Sequence, residues 1–128
     1  MKWIASLLIV CFFSCNQMDR NCEDFRTGTF SFETLQDGQL ITTTFTRNDT
    51  LEIALVNGRP DSSDVRWINA CEYIVSKRNP KNRAEKQAVH MKVLYTEQDS
   101  YTFEYSLVGK PRKEKGAVTK VSDRISLE

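Results

Sequence analysis

From Phe25 onward the chain alternates apolar and polar positions with a period of two, the pattern of strands that bury one face. In Phe25 to Thr34, Phe30 and Phe32 stand between polar neighbours, and Gln36-Asp37-Gly38 follows. Asp-Gly between two alternating runs predicts a tight hairpin, because both turn positions tolerate positive φ. The return strand is Leu40 to Arg47, rich in threonine, which suits a pleated surface. Arg47-Asn48-Asp49 reads as the next turn, and Thr50 to Val56 as a third strand with Leu51, Ile53 and Leu55 on its apolar face. Asn57 to Ser63 is dense in turn formers.

The stretch Val65 to Val75 concentrates the bulk of the predicted core. Val65, Trp67, Cys71, Tyr73 and Val75 share one face; Arg66, Glu72 and Ser76 take the other. Asn69-Ala70 is either the turn of a hairpin or a bend in one long strand. Trp67 and Tyr73, each able to bury about 150 to 250 Å², are the candidate lining of an internal cavity. A tryptophan and a tyrosine of a solid core would produce the same pattern.

Beyond the centre, Lys77 to Lys86 is a basic connection with room for one short helix from about Asn82 to Ala88. Charge runs of this kind are usually solvated. Val89 to Thr96 and Tyr101 to Leu107 alternate again, a second basic loop spans Gly109 to Gly116, and a last strand runs from Ala117 to about Val121. The polar end, Ser122 to Glu128, is expected to be loose. Roughly seven or eight short strands joined by turns predict an all-β antiparallel meander closed into a small barrel, with an open sandwich as the alternative. A barrel of this size is filled by its own side chains or holds one small ligand.

The first residues follow a different rule. Met1 to Cys15 holds one lysine, then an apolar run, then Ser14 before a cysteine, which is the layout of a signal peptide over residues 1–14. The run is shorter than the roughly 17 to 25 residues of a membrane-spanning helix. Phe12-Phe13-Ser14-Cys15 resembles a bacterial lipobox, so Cys15 is the expected site of lipid attachment, with residues 15–21 a polar tether and 22–128 a single β domain. Each buried lipid methylene contributes about 0.8 kcal/mol. The expected address is the cell envelope, anchored by lipid to a membrane and facing the periplasm or the cell surface.

Export changes the meaning of the remaining cysteines. With Cys15 lipidated, Cys22 and Cys71 form an even pair in an oxidising compartment, which predicts one disulfide. Taking Lys2 from the 18 basic residues balances them against 17 acidic ones, so no global field recruits nucleic acid. No catalytic constellation is legible: His90 is the single histidine, no spacing marks an acid/base pair, and the two carboxylates Asp61 and Asp64 are few ligands for a calcium ion. Asp49-Thr50-Leu51 has the form of a bacterial O-glycosylation motif as well as of a plain turn. The chain is therefore read as non-enzymatic, without metal or cofactor.

Four segments, Cys22-Glu-Asp-Phe-Arg-Thr-Gly-Thr-Phe, Thr43-Thr-Phe-Thr-Arg, Val65-Arg-Trp-Ile-Asn-Ala-Cys-Glu-Tyr and Tyr101-Thr-Phe-Glu-Tyr-Ser, resemble a group of short lipoproteins from Bacteroidota, in particular flavobacteria. Members often carry the label DNA topoisomerase IV, which does not fit an exported chain of this length without an ATP-binding motif. The strand pattern is similar to the lipocalin-like superfamily, an analogy of fold that carries no activity with it. Two functions follow as expectations: a lipoprotein whose barrel holds a small apolar ligand near Trp67, and a structural module that docks on other envelope proteins.

Overall fold

The computed structural model describes residues 20–56 and 58–125. The signal segment and Cys15 lie outside them. Eight strands, β1 (Gly28–Gln36), β2 (Gln39–Arg47), β3 (Leu51–Val56), β4 (Arg59–Asn69), β5 (Glu72–Lys77), β6 (Val89–Thr96), β7 (Ser100–Leu107) and β8 (Glu114–Ser122), form a closed antiparallel barrel in chain order. The expected meander is thus present, and closure makes it a barrel rather than a sandwich.

Local chemistry sets the turns. Asp37 and Gly38 both take positive φ, 51° and 77°, and join β1 to β2 in register with Gln36 opposite Gln39. Asn69 faces Glu72 across the β4–β5 turn, so the central stretch is a hairpin and not one bent strand. Asn69 Oδ1 accepts from the Cys71 N–H at 2.9 Å, which stabilises a turn that lacks the glycine usual at such a corner. The helix α1 is one turn, Arg83–Lys86, and the Asn82 side chain caps it by accepting from the Glu85 N–H. It stops before the expected Ala88 because Gln87 is already extended.

Two strands start earlier than their sequence suggests. β4 begins at Arg59, inside the run of turn formers, because Leu51–Val56 pairs residue for residue with Asp64–Arg59. β8 begins at Glu114 within the basic loop, where the Tyr105 hydroxyl donates to Glu114 at 2.8 Å. The polar end is tied down as far as Arg124, whose carbonyl accepts from Thr29 Oγ1 at 2.7 Å.

One end of the barrel is plugged. A 3-10 turn, Cys22–Phe25, lies across it with both named residues buried. Phe25 meets Tyr101 edge to face at 5.4 Å and Phe30 stacks on Phe45 at 5.2 Å, and Val93 and Val118 complete the cluster. Each such buried side chain contributes about 1.5–3 kcal/mol. Cys22 is bonded to Cys71, so the plug is stapled to the β4–β5 turn as the cysteine count predicted. The Asn21 N–H to Thr96 Oγ1 (2.8 Å) and Arg20 Nε to the Leu94 carbonyl (2.9 Å) fix the chain where it reaches this end.

The other end is open, and two seams run into it. β1 pairs with β8 only from Thr29 to Ser31, and β2 with β3 only from Phe45 to Arg47. The outer half of the β1–β2 hairpin is consequently paired only with itself, and Leu35 near its tip is 75% exposed.

Candidate functional site

Arg47 is the last residue of β2, where a strand-ending arginine before Asn-Asp reads as a solvated turn. Its side chain is instead turned into the barrel and is 1% exposed. Nε donates to the Arg26 carbonyl at 2.9 Å and Nη2 to the Phe25 carbonyl. Nη1 donates to the Tyr73 hydroxyl at 2.9 Å and reaches the Tyr101 hydroxyl and Glu52 Oε2, both at 3.4 Å. The guanidinium carbon also lies 4.7 Å from the Phe30 ring centre and 4.9 Å from that of Tyr73, a distance at which a cation is attracted to the ring face. Burial works against its charge, yet Tyr73, Tyr101 and Glu52 outweigh it and hold the guanidinium pKa above its ordinary value.

Glu52 faces inward because it stands opposite Arg47, as Ala54 stands opposite the buried Phe45. The face that is apolar in sequence, Leu51, Ile53 and Leu55, is therefore on the outside of the barrel. Desolvation pushes the Glu52 carboxyl up, and Arg47 offsets this only in part. Tyr73 is likewise raised well above the ordinary phenol value, first by burial and then by the neighbouring Tyr101.

Over this charged floor lies a cavity of about 390 Å³, within the range of small-molecule sites. Phe45, Tyr73 and Tyr101 form its base; Phe32, Met91, Phe103 and Tyr105 form its walls. Along β7 the three rings make a continuous ladder, Tyr101 to Phe103 at 5.9 Å and Phe103 to Tyr105 at 5.7 Å. Phe103 lies directly over Gly116 of β8, where a Cβ would come within 2.6 Å of its ring. Absence of a side chain at 116 is what leaves room for the ring there. Glu33 and Lys115 stand at the β1–β8 seam, on either side of the cavity.

Glu52 retains 21% of its side-chain exposure. Because it lines the cavity, that exposure is to the lumen. Two roomier hollows, about 600 and 650 Å³, have mainly polar walls: one lies beside the plug at Asp24, Asp99 and Asp123, the other around Arg59, Asp61 and Glu85. In the second, Lys77 bridges Asp61 at 3.1 Å and Glu85 at 3.0 Å.

Of the two residues expected to line a cavity, Tyr73 is at its base. Trp67 stands below, with its ring 4.5 Å from that of Tyr73 and covered by the Arg26 guanidinium at 4.7 Å. Its Nε1 is buried and has no hydrogen-bond partner among the described residues. Asp61 and Asp64 are ion-paired, to Lys77 and Arg78. Thr50 sits in an Asx turn closed by Asn48 Oδ1. His90 lies 3.4 Å from Glu72 on the barrel wall. Sequence reasoning missed Arg47, Glu52, Met91 and Phe103 as neighbours; the last two were legible as inward strand positions, the first two only once the barrel closes.

No protein-family model, curated protein or solved structure matches the chain.

Proposed function

We propose that this protein is a non-enzymatic envelope lipoprotein that holds a small apolar ligand in the cavity behind the β1–β8 seam. The cavity itself carries the reading: about 390 Å³ of space inside the barrel, lined by six aromatic rings and a methionine. Burying an apolar molecule against such walls is favourable by about 25 cal/mol per Å². The apolar segment ahead of Cys15 supports lipid attachment there, as does its resemblance to a lipobox. Residues 20 and 21 are bound at the plugged end, and a tether of five residues spans at most about 18 Å, so an anchor at Cys15 would keep the plugged end near the membrane and leave the open end away from it.

A second reading has its own observation. Leu35 and Leu40 at one hairpin tip, Leu55 and Val56 at the next, and Leu107 and Val108 where β7 ends are all exposed around the open end. Such a rim suits docking on another envelope protein.

N-phenyl-1-naphthylamine, a neutral dye that fluoresces in apolar surroundings, separates the two. Binding by the native barrel, lost at least tenfold in Gly116→Leu, where the new side chain drives Phe103 across the cavity, supports the ligand reading. No binding by either protein would leave the docking module. Intact mass and membrane fractionation beside Cys15→Ala test the anchor: a triacylated Cys15, and a variant that leaves the membrane, are expected.

A further inference from the structure

We propose that the ligand of this cavity is an alcohol or a protonated amine on an apolar body, its donor seated on the Glu52 carboxylate; the inference rests on the cavity-binding reading and narrows it. Among the described residues the cation at the base is committed. Arg47 spends Nε and Nη2 on the Arg26 and Phe25 carbonyls, on the far side from the cavity, and Nη1 on Tyr73 and Tyr101. The two phenol oxygens thus stand between the guanidinium and the space above. Glu52 is different. Its Oε2 takes one long bond from Arg47, 3.4 Å, while Oε1 has no partner among the described residues and the side chain is open to the lumen.

A site with a spare carboxylate acceptor and no spare cation discriminates by chemistry. An anionic head would meet Glu52 and find no uncommitted cation beside it, since Lys115 is exposed at the rim and a solvated lysine adds little. A hydroxyl or ammonium head completes the carboxylate, and a charge-assisted bond of this kind is among the stronger ones. The ammonium gains further from the faces of Tyr73, Tyr101 and Phe103. The ionisable groups around Glu52 are Arg47, Tyr73 and Tyr101; in their ordinary charge states Arg47 and Glu52 balance, so a cationic head enters a neutral floor and not a positive one.

A series with one body and four heads tests this on the full chain carrying Cys15→Ala, which leaves the lipid off: 2-methylnaphthalene, 2-naphthylmethanol, 2-naphthylmethylamine and 2-naphthoic acid, titrated by calorimetry at neutral pH. The alcohol and the amine are expected to bind about tenfold more tightly than the acid and than the head-free hydrocarbon. Glu52→Gln, checked for folding by circular dichroism, is expected to remove about tenfold from the amine and nothing from the hydrocarbon. The head-group ranking is decided on the native site, so it stands whether or not that variant folds. Equal affinity for all four overturns the donor requirement and leaves the cavity reading intact. Tighter binding of the acid overturns it by reversing the sign. Binding of none overturns both.

Discussion

Arg47 Nη1 donates to the Tyr73 hydroxyl at 2.9 Å across the interior of the barrel, tying the end of β2 to the start of β5. The bond is buried, and the same guanidinium holds the carbonyls of Phe25, through Nη2, and Arg26, through Nε, at the plug. One cation therefore joins the hairpin, the disulfide-bearing turn and the cap.

Replacing that cation is expected to be far more damaging than replacing its carboxylate neighbour. Arg47→Met strands two backbone carbonyls and two phenols, and loss of a buried, fully bonded charge costs about 3–5 kcal/mol. Glu52→Gln gives up one contact at 3.4 Å and relieves a desolvated carboxylate, so it is expected to stay within about 1 kcal/mol of the parent. Urea unfolding of the two variants measures the difference; equal losses would show that the ion pair, not the cage, carries the energy.

Tyr73 gives a pH signature. Its pKa is raised above the ordinary phenol value of 10.0, first by burial. The folded state then keeps a proton that the unfolded chain releases, so the stability linked to Tyr73 is complete below pH 10 and falls as pH climbs beyond it. Lys77 shifts in the same direction. In an alkaline titration followed at the tyrosinate absorbance, one phenol is expected to ionise only together with loss of the circular dichroism signal. Ionisation of every tyrosine before unfolding would place Tyr73 in contact with water.

Much of this architecture was legible because it is local. Asp37-Gly38 announces its hairpin, the segment from Asn82 its short helix, and the even pair Cys22 and Cys71, in a chain read as exported, their bond. Arg47 and Glu52 were not legible, for a common reason. A charged residue at a strand end, and a glutamate between Leu51 and Ile53, have every local mark of solvent-facing positions. Only the pairing of β2 with β3, set by closure of the whole barrel, turns both inward and puts the apolar face of β3 outside. Arg59 to Ser63 misled in the same way: polar residues on the inner face of a strand, at Arg59, Asp61 and Ser63, look in sequence like a turn. Trp67 was legible as an inward residue, but which layer of the lumen it occupies depends on the register of β4 against β5 and on the plug beneath it.

The disulfide is expected to carry a large share of the stability. It joins residues 49 apart in sequence, and constraining a loop of that length stabilises by about 4 kcal/mol in the chain-entropy account. The protein is expected to show no free thiol at Cys22 or Cys71 before reduction, and a large fall in thermal midpoint after it. Quantitative labelling of both without reductant would contradict the bond, and an unchanged midpoint its role in holding the plug.

The most direct test of the binding cavity uses Met91, which lies in its wall. With methyl-labelled methionine and 2-naphthylmethanol as the probe, the Met91 resonance is expected to shift in a saturable way in the native protein and not in Gly116→Leu. A probe that leaves Met91 unmoved at saturation would contradict a ligand site inside the barrel.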